Sequence, residues 1–95
     1  MYALQRIRKA VREQQYRISL HANDEMSEDL LKLEDIESIT QTGKVTKKFT
    51  HDPRGIRYEV TGYTIDGRKA SFVCRFLKSG ILRIITAYVI RGEIG

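Results

Sequence analysis

Residues 56–77, IRYEVTGYTIDGRKASFVCRFL, decide the fold. Side chains alternate in character on both sides of Asp66-Gly67, a dipeptide that favours a tight hairpin because its turn needs positive φ. On the second arm Ala70, Phe72, Cys74 and Phe76 share one face, while Lys69, Ser71, Val73, Arg75 and Leu77 share the other. On the first arm Ile56, Tyr58 and Val60 oppose Arg57, Glu59, Thr61 and Tyr63. A sheet with one apolar face needs a layer to cover it.

Working outward, Lys44–Thr50, Ile56–Ile65, Arg68–Leu77 and Ile81–Ile90 read as four strands. Lys78-Ser79-Gly80 reads as a three-residue hairpin, and His51–Gly55 as a loop. In the last strand Ile81, Arg83, Ile85 and Ala87 alternate with Leu82, Ile84, Thr86, Tyr88 and Ile90.

The cover lies upstream, where the period is helical. Leu4, Ile7, Ala10 and Val11 mark a helix from Tyr2 to about Gln14. Tyr16–Leu20 is expected to be an extended link, with Ser19 capping a short helix that opens at His21 and starts acidic, as the helix dipole favours. Leu33, Ile36 and Ile39, with Leu30, make the buried stripe of a third helix. Gly43 ends it, as a residue that enters the left-handed conformation cheaply. The expected fold is α+β: N-terminal helices on a four-stranded antiparallel meander. It forms a single domain over 1–95, with a helix in 1–15, short helices in 16–42 and the sheet in 43–91.

Charge is sorted along the chain. Residues 1–20 hold five Lys/Arg against one Glu, residues 21–41 hold Lys32 against seven acids, and residues 42–95 hold eleven basic residues against four acids. The net charge is +5. A basic C-terminal half beside an acidic segment points to a polyanion partner such as RNA. The single Cys74 cannot form an internal disulfide, which fits a cytoplasmic setting. No apolar run approaches the ~18–20 residues that span a bilayer, so no membrane partner is expected.

The open face of the sheet is expected to gather Arg57, Lys69, Arg75 and Arg83, with Tyr63 nearby. Guanidinium forks match phosphate oxygens, and an aromatic ring stacks an unpaired base. The plainer reading, charges that only solvate a sheet, stands beside this one. His21 is the leading acid–base candidate, since an imidazole exchanges protons near neutral pH; its plainer role is helix packing or capping. His51 reads as an exposed loop residue. No zinc-ligand spacing, Ser-His-Asp pattern or Gly-rich phosphate loop is present, so no metal or cofactor is expected. Cys74 falls on the apolar face as an inert thiol.

Several stretches resemble a small bacterial domain family of unknown function typified by S-x-HA-x-x-RM. They are Tyr16-Arg17-Ile18-Ser19-Leu20-His21-Ala22 with Met26, then Glu34-Asp35-Ile36, then Thr42-Gly43-Lys44-Val45. Arg57-Tyr58-Glu59-Val60-Thr61-Gly62, Asp66-Gly67-Arg68 and Ile84-Ile85-Thr86-Ala87-Tyr88 follow. That family is similar to BrnT and RelE/ParE-like toxins of bacterial toxin–antitoxin pairs. The resemblance implies a RelE/BrnT-like fold and metal-independent, mRNA-interferase-like endoribonuclease activity. It implies RNA as substrate, with ribosome-bound mRNA one form, and a cognate antitoxin as partner, with a zinc-finger-bearing one among the options. Carried over by position, His21, Arg57, Arg83 and Tyr88 are the catalytic candidates, and Thr86 joins Lys69, Arg75 and Tyr63 as RNA-binding. The family's usual Arg before Met is Glu25 here. The alternatives to cleavage are a non-catalytic RNA- or ribosome-binding module and a regulatory protein-binding subunit.

Overall fold

The computed structural model describes residues 2–92. The expected span 1–95 reaches Met1 and residues 93–95, which lie outside the described residues. Three helices, α1 (Ala3–Arg12), α2 (Leu20–Glu28) and α3 (Leu33–Thr42), accompany five strands: β1 (Tyr16–Ile18), β2 (Lys44–Phe49), β3 (Arg57–Tyr63), β4 (Lys69–Phe76) and β5 (Leu82–Val89). The sheet order is β1-β5-β4-β3-β2.

The four-stranded meander is therefore corrected to a five-stranded mixed sheet. The expected link at Tyr16–Leu20 contains β1, which pairs parallel to β5 with Arg17 beside Arg83. Three residues are too few for a periodic signal, and the strand exists because its neighbours supply hydrogen bonds. The Leu82 N–H donates to the Gln15 carbonyl and the Ser19 N–H to the Ile84 carbonyl, both at 3.0 Å.

One face of the sheet packs beneath the helices. Val60, Phe72, Cys74, Leu82, Ile84 and Ala87 from the strands meet Ile7, Ala22, Ile36 and Ile39 from the helices, all with no exposed surface. Burying each larger side chain contributes about 1.5–3 kcal/mol. The α3 stripe differs from expectation: Leu30 is 77% and Leu33 54% exposed, and Leu31, Asp35 and Thr40 are buried instead. Asp35 is inside because its carboxylate accepts the Lys32 N–H at 2.9 Å and the Ile65 N–H at 3.0 Å, tying the α3 start to a sheet loop. α2 begins at Leu20, one residue earlier than expected, so Asp24 and Glu25 lie beyond its first turn.

Gly43 has φ −104° and ψ −171°, an extended conformation rather than a left-handed one. It is glycine for space: a Cβ there would run into the carbonyls of Thr61 and Ile39, and one at Gly62 would meet Ile39 and Thr42. The Asp66-Gly67 turn is wider than two residues. The Thr64 N–H donates to the Arg68 carbonyl and the Gly67 N–H to the Thr64 carbonyl, with only Gly67 at positive φ. The Lys78-Ser79-Gly80 hairpin closes through the Leu77 N–H on the Ile81 carbonyl at 2.8 Å.

Candidate nucleic-acid interface

The open face is organised by register. Phe49 opposes Arg57, Arg57 opposes Arg75, Arg75 opposes Arg83, and Arg83 lies beside Arg17. One row across all five strands thus carries four arginines and a phenylalanine. Directly opposed residues point to the same side, with Cβ atoms about 4.5–5.5 Å apart. Like charges so placed repel, and among the described residues no carboxylate lies within ion-pair distance of Arg17, Arg75 or Arg83.

Four other arginines are occupied. Arg8 donates to the Thr40 carbonyl at 2.7 Å and the Gly43 carbonyl at 3.3 Å, satisfying the C-terminal end of α3. Arg68 does the same for α2 through the carbonyls of Asp29 and Leu30. Arg6 lies over the Phe76 ring at 4.2 Å, and Arg91 pairs with Asp29 at 3.1 Å. Arg57 is intermediate. Its guanidinium lies 5.1 Å from the Phe49 ring centre, while its buried Nε, 3.4 Å from Asp52 Oδ2, makes no hydrogen bond.

The next two rows depend on an irregularity in β5. Val73 opposes Thr86 but Cys74 opposes Ile84, so Ile85 is an extra residue, a β-bulge. The bulge shifts the alternation by one. Arg83 would otherwise share its face with Ile85 and Ala87; instead Ala87 is buried, and Thr86 and Tyr88 join the arginines. Ser19 pins the irregularity: its hydroxyl donates to the Ile85 carbonyl at 2.9 Å and accepts the Ala22 N–H at 3.0 Å.

Row by row, Lys47, Glu59, Val73 and Thr86 come next, followed by Lys44, Thr61, Ser71 and Tyr88. Here the polar side chains bond one another. Tyr88 donates to Glu59 at 3.2 Å, Thr46 donates to Glu59 at 2.7 Å, and the Thr61 and Ser71 hydroxyls are 2.6 Å apart. Burial first, and then the Glu59 carboxylate, raise the Tyr88 pKa, so the phenol is a proton donor at neutral pH. Tyr63 opposes Lys69 at the far end, six residues up β3 from Arg57 and about 20 Å from the arginine row. These two are not brought to the others.

His21 is exposed at the start of α2, its Nε2 3.3 Å from Glu25 Oε1. Glu25 in turn accepts the Thr86 hydroxyl and the Ala87 N–H, and Asp29 accepts the Val89 N–H at 2.8 Å. The acidic side of α2 thereby satisfies the stretch of β5 edge that β1 leaves uncovered. Side-chain contacts lead from His21 through Glu25 to Thr86, one row from Arg83. Arg17, Phe49 and Glu59 were missed as site residues. The alternation of Tyr16-Arg17-Ile18 was the only available signal for Arg17; alternation put Glu59 on the face of Arg57 but its bond to Tyr88, like the place of Phe49, needed register.

Cys74 is fully buried, and burial pushes its thiol up to about 12. His51 is exposed in its loop. Among the described residues no group of His, Cys, Asp and Glu is placed to hold a metal ion, and no helix is long and apolar enough to cross a membrane.

Neither the curated proteins nor the solved structures give a match to this chain. A family model does, over residues 18–89, running from the end of β1 to the last residue of β5 and so enclosing all of the open face but Arg17. By that match the chain belongs to the family described as Domain of unknown function (DUF4258).

Proposed function

We propose that the open face binds RNA and that the protein is a metal-independent endoribonuclease of the toxin type, related to the BrnT and RelE/ParE-like toxins that its motifs resemble. The observation that carries the reading is the arginine row, with Arg75, Arg83 and Arg17 lacking carboxylate partners among the described residues. Such a row costs folding stability through repulsion and has a use when an external polyanion neutralises it. In the cleavage step His21 takes the proton of a ribose 2′-hydroxyl, and the 2′-oxygen attacks the adjacent phosphorus. The bond from phosphorus to the 5′-oxygen breaks, and Tyr88 donates a proton to that leaving oxygen. Arg57 and Arg83 stabilise the charge on the crowded phosphate. Glu25, 3.3 Å from its Nε2, orients the His21 ring.

A second reading, a non-catalytic RNA- or ribosome-binding module, is favoured by one contact: the Tyr88 proton is already committed to Glu59. RNA incubated with the protein in EDTA, with and without ribosomes, separates the two. Cleavage that is lost in His21→Ala, with RNA binding retained, supports the nuclease. Binding without cleavage in both conditions selects the second reading. Growth arrest on expression, relieved by the product of an adjacent small reading frame, is the expected outcome for a toxin. Absence of RNA binding at low salt overturns both readings.

A further inference from the structure

We infer that single-stranded RNA lies across the strands along the arginine row, with Arg17 holding a phosphate at one end and the Phe49–Arg57 pair stacking a base at the other. This rests on the RNA reading above and adds the form of substrate and two residues outside the proposed catalytic set. Four arginines on adjacent strands, about 4.8 Å apart, make a line about 14 Å long running perpendicular to the strands. A line of that kind matches one phosphate backbone. A duplex presents a second backbone across a groove, and the rows where it would fall, Lys47, Glu59, Val73 and Thr86 and then Lys44, Thr61, Ser71 and Tyr88, carry no arginine and one lysine each. Both lysines lie on the edge strand β2, and Glu59 on β3 would repel a second strand passing there.

The β2 end of the row supplies what an unpaired base needs. Phe49 continues the line of arginines, and the Arg57 guanidinium lies against its ring. Splayed bases stack on aromatic rings and guanidinium planes, whereas bases inside a duplex are not available to do so. The Arg57 Nε is buried 3.4 Å from Asp52 Oδ2, which leaves the outer guanidinium plane beside the Phe49 ring for stacking. At the β1 end Arg17 is exposed and lies beside Arg83, extending the line to the sheet edge.

The test is fluorescence anisotropy with a 2′-O-methylated oligouridine, which cannot be cut through its 2′-oxygen, and with a 2′-O-methylated duplex of equal length, over a salt series. The single strand is expected to bind at least about tenfold more tightly, since base stacking is available only to it. Its log–log salt slope should lie between about −2 and −3, for three to four phosphate contacts. Arg17→Gln should reduce the slope by about 0.7. Phe49→Leu, which keeps apolar bulk, should weaken binding about tenfold and leave the slope unchanged. Arg12→Gln, on α1, should alter neither, and circular dichroism confirms that each variant is folded. Duplex bound as tightly as single strand, or an unchanged slope in Arg17→Gln, overturns the inference while leaving the RNA reading intact. Retention of neither RNA, including the case where only an acidic protein segment binds, removes that reading and this inference with it.

Discussion

On the helix-covered face of the sheet the register opposes Val60 with Phe72 and Phe72 with Ala87, whereas on the open face it opposes Arg57 with Arg75 and Arg75 with Arg83. Each covered pair leaves water and gains packing partners, so it stabilises the chain without outside help. Each open pair sets like charges side by side; Asp52 lies 3.4 Å from Arg57, whereas Arg75 and Arg83 have no carboxylate within ion-pair distance among the described residues. The stability of the sheet comes from one surface, and the RNA binding proposed above would come from the other. Changes on the two faces should therefore move stability and binding in different proportions.

The largest expected effect is on the covered face. Phe72 is fully buried between Val60 and Ala87. Phe72→Ala should cost about 3–5 kcal/mol, read as a lower urea midpoint with little change in slope. A cost near zero would mean that this face is not the core. The next effect uses the buried thiol. In the native state burial pushes the Cys74 thiol up to about 12, from an ordinary value of 9.0. Above pH 9 the unfolded chain therefore releases a proton that the native state keeps, and this contribution to stability is lost as pH rises towards 12. Cys74→Ala should flatten that alkaline decline relative to the parent protein, even if it lowers stability at neutral pH. Equal declines would show that the thiol is not protected.

The smallest expected effect, and the most diagnostic, is on the open face. Arg83→Gln should raise stability at low salt by about 0.2–1 kcal/mol, because it removes a repulsion, and the gain should fade as salt screens the row. The same variant should bind RNA more weakly. A loss of stability with RNA affinity retained would place Arg83 among structural residues and dissolve the contrast between the faces.

β4 was the most legible element: Ala70, Phe72, Cys74 and Phe76 are all on the covered side, as strict alternation requires. The helices were found because their apolar spacing is local, and the Ser19 cap because hydroxyl capping is a local contact. β1 was not legible as a strand, since its pairing with β5 joins residues far apart in the chain. Gly43 was assigned the wrong reason, because the close approach of Thr61 leaves no trace in the residues around it. Of the site, the grouping of Arg57, Arg75 and Arg83 was legible from alternation, whereas the contact between His21 and Glu25 came from the structure. The separation of Tyr63 and Lys69 from the arginines was not legible, because alternation assigns a face but says nothing of distance along it.

What the sequence by itself determined is the three helices, the strands β2 to β5 and the sidedness of β3 and β4, because the spacing of apolar and charged residues obeys helical and strand periods locally. What only the tertiary structure decided is the alignment of four arginines from four strands into one row, and the arrival of Thr86 and Tyr88 beside them. Both depend on pairing between distant segments. The second depends also on one extra residue at Ile85, whose freed carbonyl is held by Ser19. A bulge reverses every side chain after it, and its position is set by hydrogen bonds from elsewhere in the fold rather than by the residues of the strand.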